Sequence, residues 1–233
     1  MQISYATLGF TIAGILFLVH SLSFIKLPND ILKKELRFYS FAYLPLSLTF
    51  IIWGLLTYFN TTLLAPSIIV GNALLLVSTL IMLLFLFSKK SRSVKIFVFI
   101  IGLLLSVIFI WWRINYFFPT PYMLNGILLL DTQRPVSILW ALIFIIIWFP
   151  ACIKAAKIIS KNILRPELNY VYSFIYIIST LSAILFISAQ TPTLAVITFV
   201  MLFLSFSMSL YSNFMIKTLF LKKDTVIPLP ISN

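Results

Sequence analysis

Seven apolar runs, each of about twenty residues, follow one another along this chain with short polar segments between them. A helix of that length crosses the ~30 Å hydrocarbon core of a bilayer, rising 1.5 Å per residue. The runs cover about residues 5–25, 38–58, 67–87, 96–117, 136–152, 168–189 and 194–216. They predict an all-α fold: a polytopic membrane bundle of seven transmembrane helices over residues 1–217, with a short tail over 218–233. Pro45 and Pro150 fall inside the second and fifth runs. Both are expected to kink or break their helices, because proline removes a backbone donor and clashes with the preceding turn. The longest connection, Pro119 to Pro135, contains YMLNGILLL, which is too apolar for a free loop. It is expected to lie in the interface or fold back over the bundle.

The polar segments alternate strictly between basic and uncharged. Of the 17 Lys and Arg, all but Arg113 and Arg134 lie in the segments that follow spans one, three, five and seven. Basic loops stay on the cytoplasmic side, so the N-terminus is expected outside and the C-terminus in the cytoplasm. The opening MQIS lacks the basic region and small-residue cleavage site of a signal peptide, so the first run reads as a retained span.

Composition agrees with this reading. Hydrophobic residues make up 62% of the chain and charged residues 9%, against about 25% charged in soluble domains. A chain so composed cannot cover itself with a polar surface. The net charge of +12 does not imply a nucleic-acid partner, because the cations are divided among four short segments beside the spans. Orientation during insertion accounts for them, with attraction to the anionic inner leaflet as a by-product. The lipid bilayer is the expected partner. Cys152 is the lone cysteine, so the chain forms no internal disulfide. An integral protein of a bacterial cytoplasmic (inner) membrane fits these features.

Polar residues within spans are expected to face the bundle interior. Thr198, Ser205, Ser209 and Ser212 share one face of span seven, and Tyr172, Tyr176 and Ser179 share one face of span six. Close packing through small and hydroxylated residues explains such stripes; a polar cavity is the alternative. The outer half collects rarer groups. Asn72 lies below the outer end of span three, and Trp112, Arg113 and Asn115 lie at the end of span four. Asp131 and Arg134 occupy the long connection, and Gln190 ends span six. Arg113 can reach the interface on its long stem, and Arg134 can pair with Asp131. Read functionally, these seven residues form a ligand-binding pocket open to the outside, floored by Asn72 and walled by Trp111, Trp112 and Tyr116. Two cations against one carboxylate favour a small anionic or carbonyl-bearing ligand.

The missing chemistry narrows the field. None of the five acidic residues is expected inside a span, whereas proton-coupled transporters rely on intramembrane carboxylates or histidines. No phosphate loop, HExxH or nucleophile elbow occurs. The single histidine, His20, reads as a packed residue near the inner end of span one. No lysine lies in the core of span seven, which excludes a retinal Schiff base. No catalytic residue, cofactor or metal site is therefore expected, and the chain does not read as an enzyme.

The architecture resembles the seven-helix sensory regions at the N-termini of bacterial histidine kinases and diguanylate cyclases. VGNALLLVSTLIMLLFLF, from Val70 to Phe87, looks like the third helix of such regions with its Gly–Asn opening. Arg134, Ser137 and Ala141, in RPVSILWALIFIIIWF, look like the start of their fifth. The likeness would extend from about Tyr5 to Lys217. Those proteins continue into a catalytic domain, whereas the tail here, ending VIPLPISN, is too short for one. The resemblance thus implies a sensor- or receptor-like protein that binds a small ligand from outside and signals through a cytoplasmic partner. A small transporter or channel, or a structural subunit of a membrane complex, is the alternative.

Overall fold

The computed structural model describes residues 5–25, 30–59, 63–120, 122–124, 127–129 and 133–163, with shorter stretches between 174 and 214. Apart from one small hairpin the described elements are helical: α1 (Tyr5–Ile25), α2 (Asp30–Phe59), α3 (Leu64–Leu86), α4 (Arg92–Tyr116), α5 (Arg134–Ile143) and α6 (Phe149–Ile163). A π-turn, Phe144–Trp148, joins α5 to α6 without a break. Among the described residues 5 helical stretches are long and apolar enough to cross a membrane: Leu8–Ile25, Lys34–Leu56, Leu64–Leu86, Arg92–Tyr116 and Arg134–Lys161. The sixth and seventh runs fall largely outside the described residues, although 193–201 is helical. Of the two polar stripes expected there, Thr198 is described. It is buried, and its hydroxyl donates to Leu194 O at 2.9 Å within its own helix. Tyr172, Tyr176, Ser179, Ser205, Ser209 and Ser212 lie outside the described residues.

The helices outrun the apolar runs at their polar ends. α4 begins four residues before its run because Ser91 caps it, accepting from the Val94 N–H at 3.4 Å. α3 takes Pro66 into its first turn, where a missing N–H costs nothing. Neither proline ends its helix. α2 is continuous through Pro45. At Pro150 the Phe149 N–H reaches back five residues to Phe144 O. A regular turn would drive the proline ring against the residue 146 carbonyl; the wider π-turn carries the chain past it.

Small residues seat α1 against α2. Ser21 and Ser40 exchange hydroxyl-to-carbonyl bonds, Ser21 Oγ to Ser40 O at 2.9 Å and Ser40 Oγ to Ser21 O at 2.8 Å. Seven residues further along each helix, Ser47 Oγ donates to Gly14 O at 2.8 Å. One more heptad along α2, Gly54 lies against the Thr11 backbone. The two backbones can approach this closely only because Ser and Gly occupy the seam. Trp53 extends the contact to α3: it donates from Nε1 to Ser67 O at 3.1 Å, and its ring covers Gly71.

At the opposite end of the bundle the core is aromatic. His20 is fully buried and meets Phe24, Tyr39 and Tyr43 edge-on, with centroids 4.9, 6.4 and 4.6 Å away. The Tyr39 and Tyr43 hydroxyls share a hydrogen bond of 2.9 Å. α6 closes this end with a face of small residues, Ala151, Cys152, Ala155 and Ala156, all buried. Its Lys154 caps α3, donating to Phe85 O at 2.5 Å, Leu86 O at 3.0 Å and Ser88 Oγ at 2.9 Å, with its ammonium over the Phe85 ring. A cation at a helix C-terminus meets the negative end of the macrodipole and its unpaired carbonyls.

Part of the long connection is a β-hairpin. β1 (Tyr122–Leu124) pairs antiparallel with β2 (Ile127–Leu129), Leu124 facing Ile127 across a two-residue link, and β2 lies against α1. The described part of the connection thus folds back onto the bundle through β2.

A side chain at position 14 would open the α1–α2 seam. A Cβ there would stand 2.6 Å from Ile51 Cγ1 and 2.9 Å from the Ile51 backbone nitrogen. Gly14→Ala is expected to destabilise the protein by about 1–3 kcal/mol, measured by detergent-induced unfolding in micelles. Gly9→Ala, whose Cβ would meet only the movable Phe199 ring at 3.2 Å, is expected to cost far less.

Candidate functional site

The N-terminal ends of α3 and α5 and the C-terminal end of α4 carry the described members of the expected ligand set. Helical geometry spreads them around α4 instead of gathering them on one wall, since successive residues turn by about 100°. Trp112 is half-buried, its ring 4.3 Å from that of Phe117 and 6.1 Å from that of Phe109. Arg113 turns inward and is only 1% exposed. Its Nη1 donates to the Phe117 carbonyl, one of the acceptors left open where α4 ends. Asn115 is exposed and bonds back to Trp111 O at 2.7 Å. Trp111 and Tyr116 pack on one another on the exposed side, centroids 5.8 Å apart. Arg134 is exposed at the first position of α5. Asn72 is buried on α3, one turn beyond Leu76 on the same face. Asp131 and Gln190 lie outside the described residues.

Below this ring of groups runs a groove between α3, α4 and α5, with a volume of about 1010 Å³. That is the upper end of the range for small-molecule sites. It extends from Phe87 and Phe97 at one end to Trp112 and Pro135 at the other. Leu105, Ile108, Ile138 and Ile146 on its walls are exposed, so it opens sideways, away from the bundle. Arg113 follows Trp112 and Arg134 precedes Pro135, so these two arginines flank the same end of the groove.

The groove is almost purely hydrocarbon. Of the side chains lining it only Thr79, Ser106 and Trp112 carry a polar atom. Ser106 donates to Gly102 O at 2.7 Å. Thr79 donates to Leu75 O at 2.9 Å and accepts from Trp148 Nε1 at 3.0 Å. Both hydroxyls are thus satisfied within the protein. The Thr79 bond ties the groove wall to the π-turn, and the Trp148 ring also packs edge-on against Tyr43 at 5.8 Å.

The groove exists because α4 is poorly packed. Of its residues only Phe109 and Arg113 are buried. Gly102 gives it one close approach to α3, with a would-be Cβ 2.5 Å from Leu80. Hydropathy alone could not reveal this, because lipid-facing and protein-facing residues are equally apolar. The signal that was available is the absence of small residues from most of α4, compared with the Ser and Gly seam of α1 and α2.

The Trp148–Thr79 bond lies away from water and is testable by a double-mutant cycle. Trp148→Phe and Thr79→Val are expected to be coupled by about 0.5–1.5 kcal/mol, the range of buried interhelical bonds in membranes, measured by unfolding in micelles. Comparison of the chain with protein-family models, with curated proteins and with solved structures finds no match.

Proposed function

We propose that this is a seven-span, sensor- or receptor-like protein of a bacterial cytoplasmic membrane, with its N-terminus outside. In this reading it takes a small anionic or carbonyl-bearing ligand at the outer ends of α3, α4 and α5 and signals to a cytoplasmic partner. The observation that carries the reading is Arg113, a cation buried at the expected outer end of α4, the least packed of the described membrane-length helices. Arginine is rarely buried except to hold a partner, and its planar fork suits carboxylates and phosphates. Arg134, Trp112 and Asn72 stand around the same end and supply a second cation, an aromatic face and an amide. The alternation of basic segments supports the orientation.

Signalling would use α4 itself. A ligand that draws Arg113 away from the Phe117 carbonyl releases the end of α4. A helix with few buried contacts shifts at low cost. Its other end emerges among Lys89, Lys90, Arg92 and Lys95, where Lys89 reaches Glu35 of α2 at 3.8 Å. That exposed pair contributes little stability, so it can exchange partners as α4 moves. The transporter reading leaned on helices broken at Pro45 and Pro150, and both helices are continuous.

Two experiments test the proposal. Titration of the purified protein with a panel of small carboxylates and phosphates, followed by tryptophan fluorescence, should give saturable quenching with at least one. Arg113→Gln should abolish that quenching while the helical circular dichroism is kept; a flat response to the whole panel in the native protein counts against the site. For the orientation, a cysteine at Thr191 should react with an impermeant maleimide in intact cells, and one at Ser91 only after the membrane is opened. Cys152 is buried and should contribute little background.

A further inference from the structure

The groove has a second end, and its chemistry differs from the first. Phe87 and Phe97 line it where α3 turns into α4. That turn carries Lys89 and Lys90, followed by Arg92 and Lys95. Lys95, Val98 and Gly102 lie at i, i+3 and i+7 on α4, and Val98 and Gly102 line the groove. Lys95 is half-buried, one turn before Val98 on the helix face that leads into the groove. Lys154 adds a further ammonium at Ser88. Glu35, engaged with Lys89, is the one carboxylate bonded to this cluster among the described residues.

The shape of the groove suits a hydrocarbon chain. From Phe97 to Trp112 it spans about 22 Å at the helical rise, longer than one leaflet of about 15 Å. Its walls offer no free hydroxyl and present branched Leu and Ile side chains at the opening. Helices associate in lipid through small residues. Here Gly102 is turned to α3, and the most exposed positions of the opening, Leu105, Ile108, Ile138 and Ile146, are all bulky, which leaves a second copy of the chain little close seam. An acyl chain conforms to such a surface.

We propose that the groove between α3, α4 and α5 is a binding slot for an anionic phospholipid, its acyl chain along Val98, Leu105 and Ile138 and its phosphate held by Lys90, Arg92 and Lys95. The assignment rests on the orientation proposed above only in taking the lipid from the cytoplasmic leaflet. That leaflet is the one rich in anionic lipid. The outer ligand and this lipid occupy opposite ends of α4.

The test is native mass spectrometry of the full chain in mild detergent, titrated with dioleoyl phosphatidylglycerol or dioleoyl phosphatidylcholine. One phosphatidylglycerol per chain should be retained in preference to phosphatidylcholine. Arg92→Gln and Lys95→Gln should each lower that preference by about fivefold, the factor for one juxtamembrane cation. Leu105→Trp, from a position that is 61% exposed and so tolerant of bulk, should fill the groove and displace the lipid. Arg113→Gln should leave the preference unchanged, which separates this proposal from the outer site. Equal retention of the two lipids would mean a non-selective lipid shell and would overturn the proposal. So would a preference indifferent to Arg92→Gln and Lys95→Gln, a loss of preference in Arg113→Gln, or a lipid-free dimer.

Discussion

Inside a bilayer an apolar side chain gains nothing by leaving lipid for protein, so helices must be held together by something other than hydrophobicity. In this protein that something is the close contact of α1 and α2. Ser21 and Ser40 bond each other's backbones, Ser47 bonds Gly14, and Gly54 admits Thr11. Each contact depends on a side chain no larger than a hydroxymethyl group. The seam sets the spacing against which Trp53 reaches α3 and His20 is enclosed by aromatic rings. Lys154 then ties the end of α3 to α6, so that the first three helices and the last part of the fifth span form one packed body.

α4 stands apart from that body. Among the described membrane-length helices it is the most apolar and the least packed, because Ile, Leu, Val and Phe surround it on nearly every side. A helix of this kind is as comfortable in lipid as against protein. The two ends differ from the middle: an arginine turned inward at one, a group of lysines and an arginine at the other. Polar chemistry at both ends of a loosely held rod is what ties the proposed ligand site and the proposed lipid site together.

Much of the fold was legible in the sequence. α1 coincides with its apolar run from Tyr5 to Ile25, whereas α3 and α4 begin three and four residues before their runs and α2 begins eight before. The physical reason is that hydropathy marks the part of a helix lying in hydrocarbon, while capping and the polar first turn decide where the helix begins. Ser91 was the readable cue for α4. The hairpin after α4 also had a cue: Asn125 and Gly126 between apolar runs form the strongest short-range hairpin signal. Neither proline ends its helix: α2 runs through Pro45, and at Pro150 a wider turn takes the place of a regular one. The candidate site was less legible. Of the expected set only Trp112 lines the groove, with Arg113 and Arg134 next in sequence to lining residues, and the groove follows from how loosely α4 packs, which no single residue announces. Asn115 could have been set aside from spacing alone, since it lies about 200° around the helix from Arg113.

The π-turn at Phe144–Trp148 amounts to a helix carrying one residue more than a regular winding can hold. Upstream of it Val136 and Trp140 face the core; downstream Ala151, Ala155 and Ile159 do. The surplus residue is the phase shift that lets both halves point the same way while Trp148 stays opposite Thr79. A chain shorter by one residue between Ile145 and Ile147 would wind as a plain α-helix up to the proline. It would then have to surrender either the aromatic contacts above or the alanine face below. Length, as much as composition, is under constraint in this helix, and homologous chains would be expected to tolerate exchanges at Ile145–Ile147 more readily than deletions.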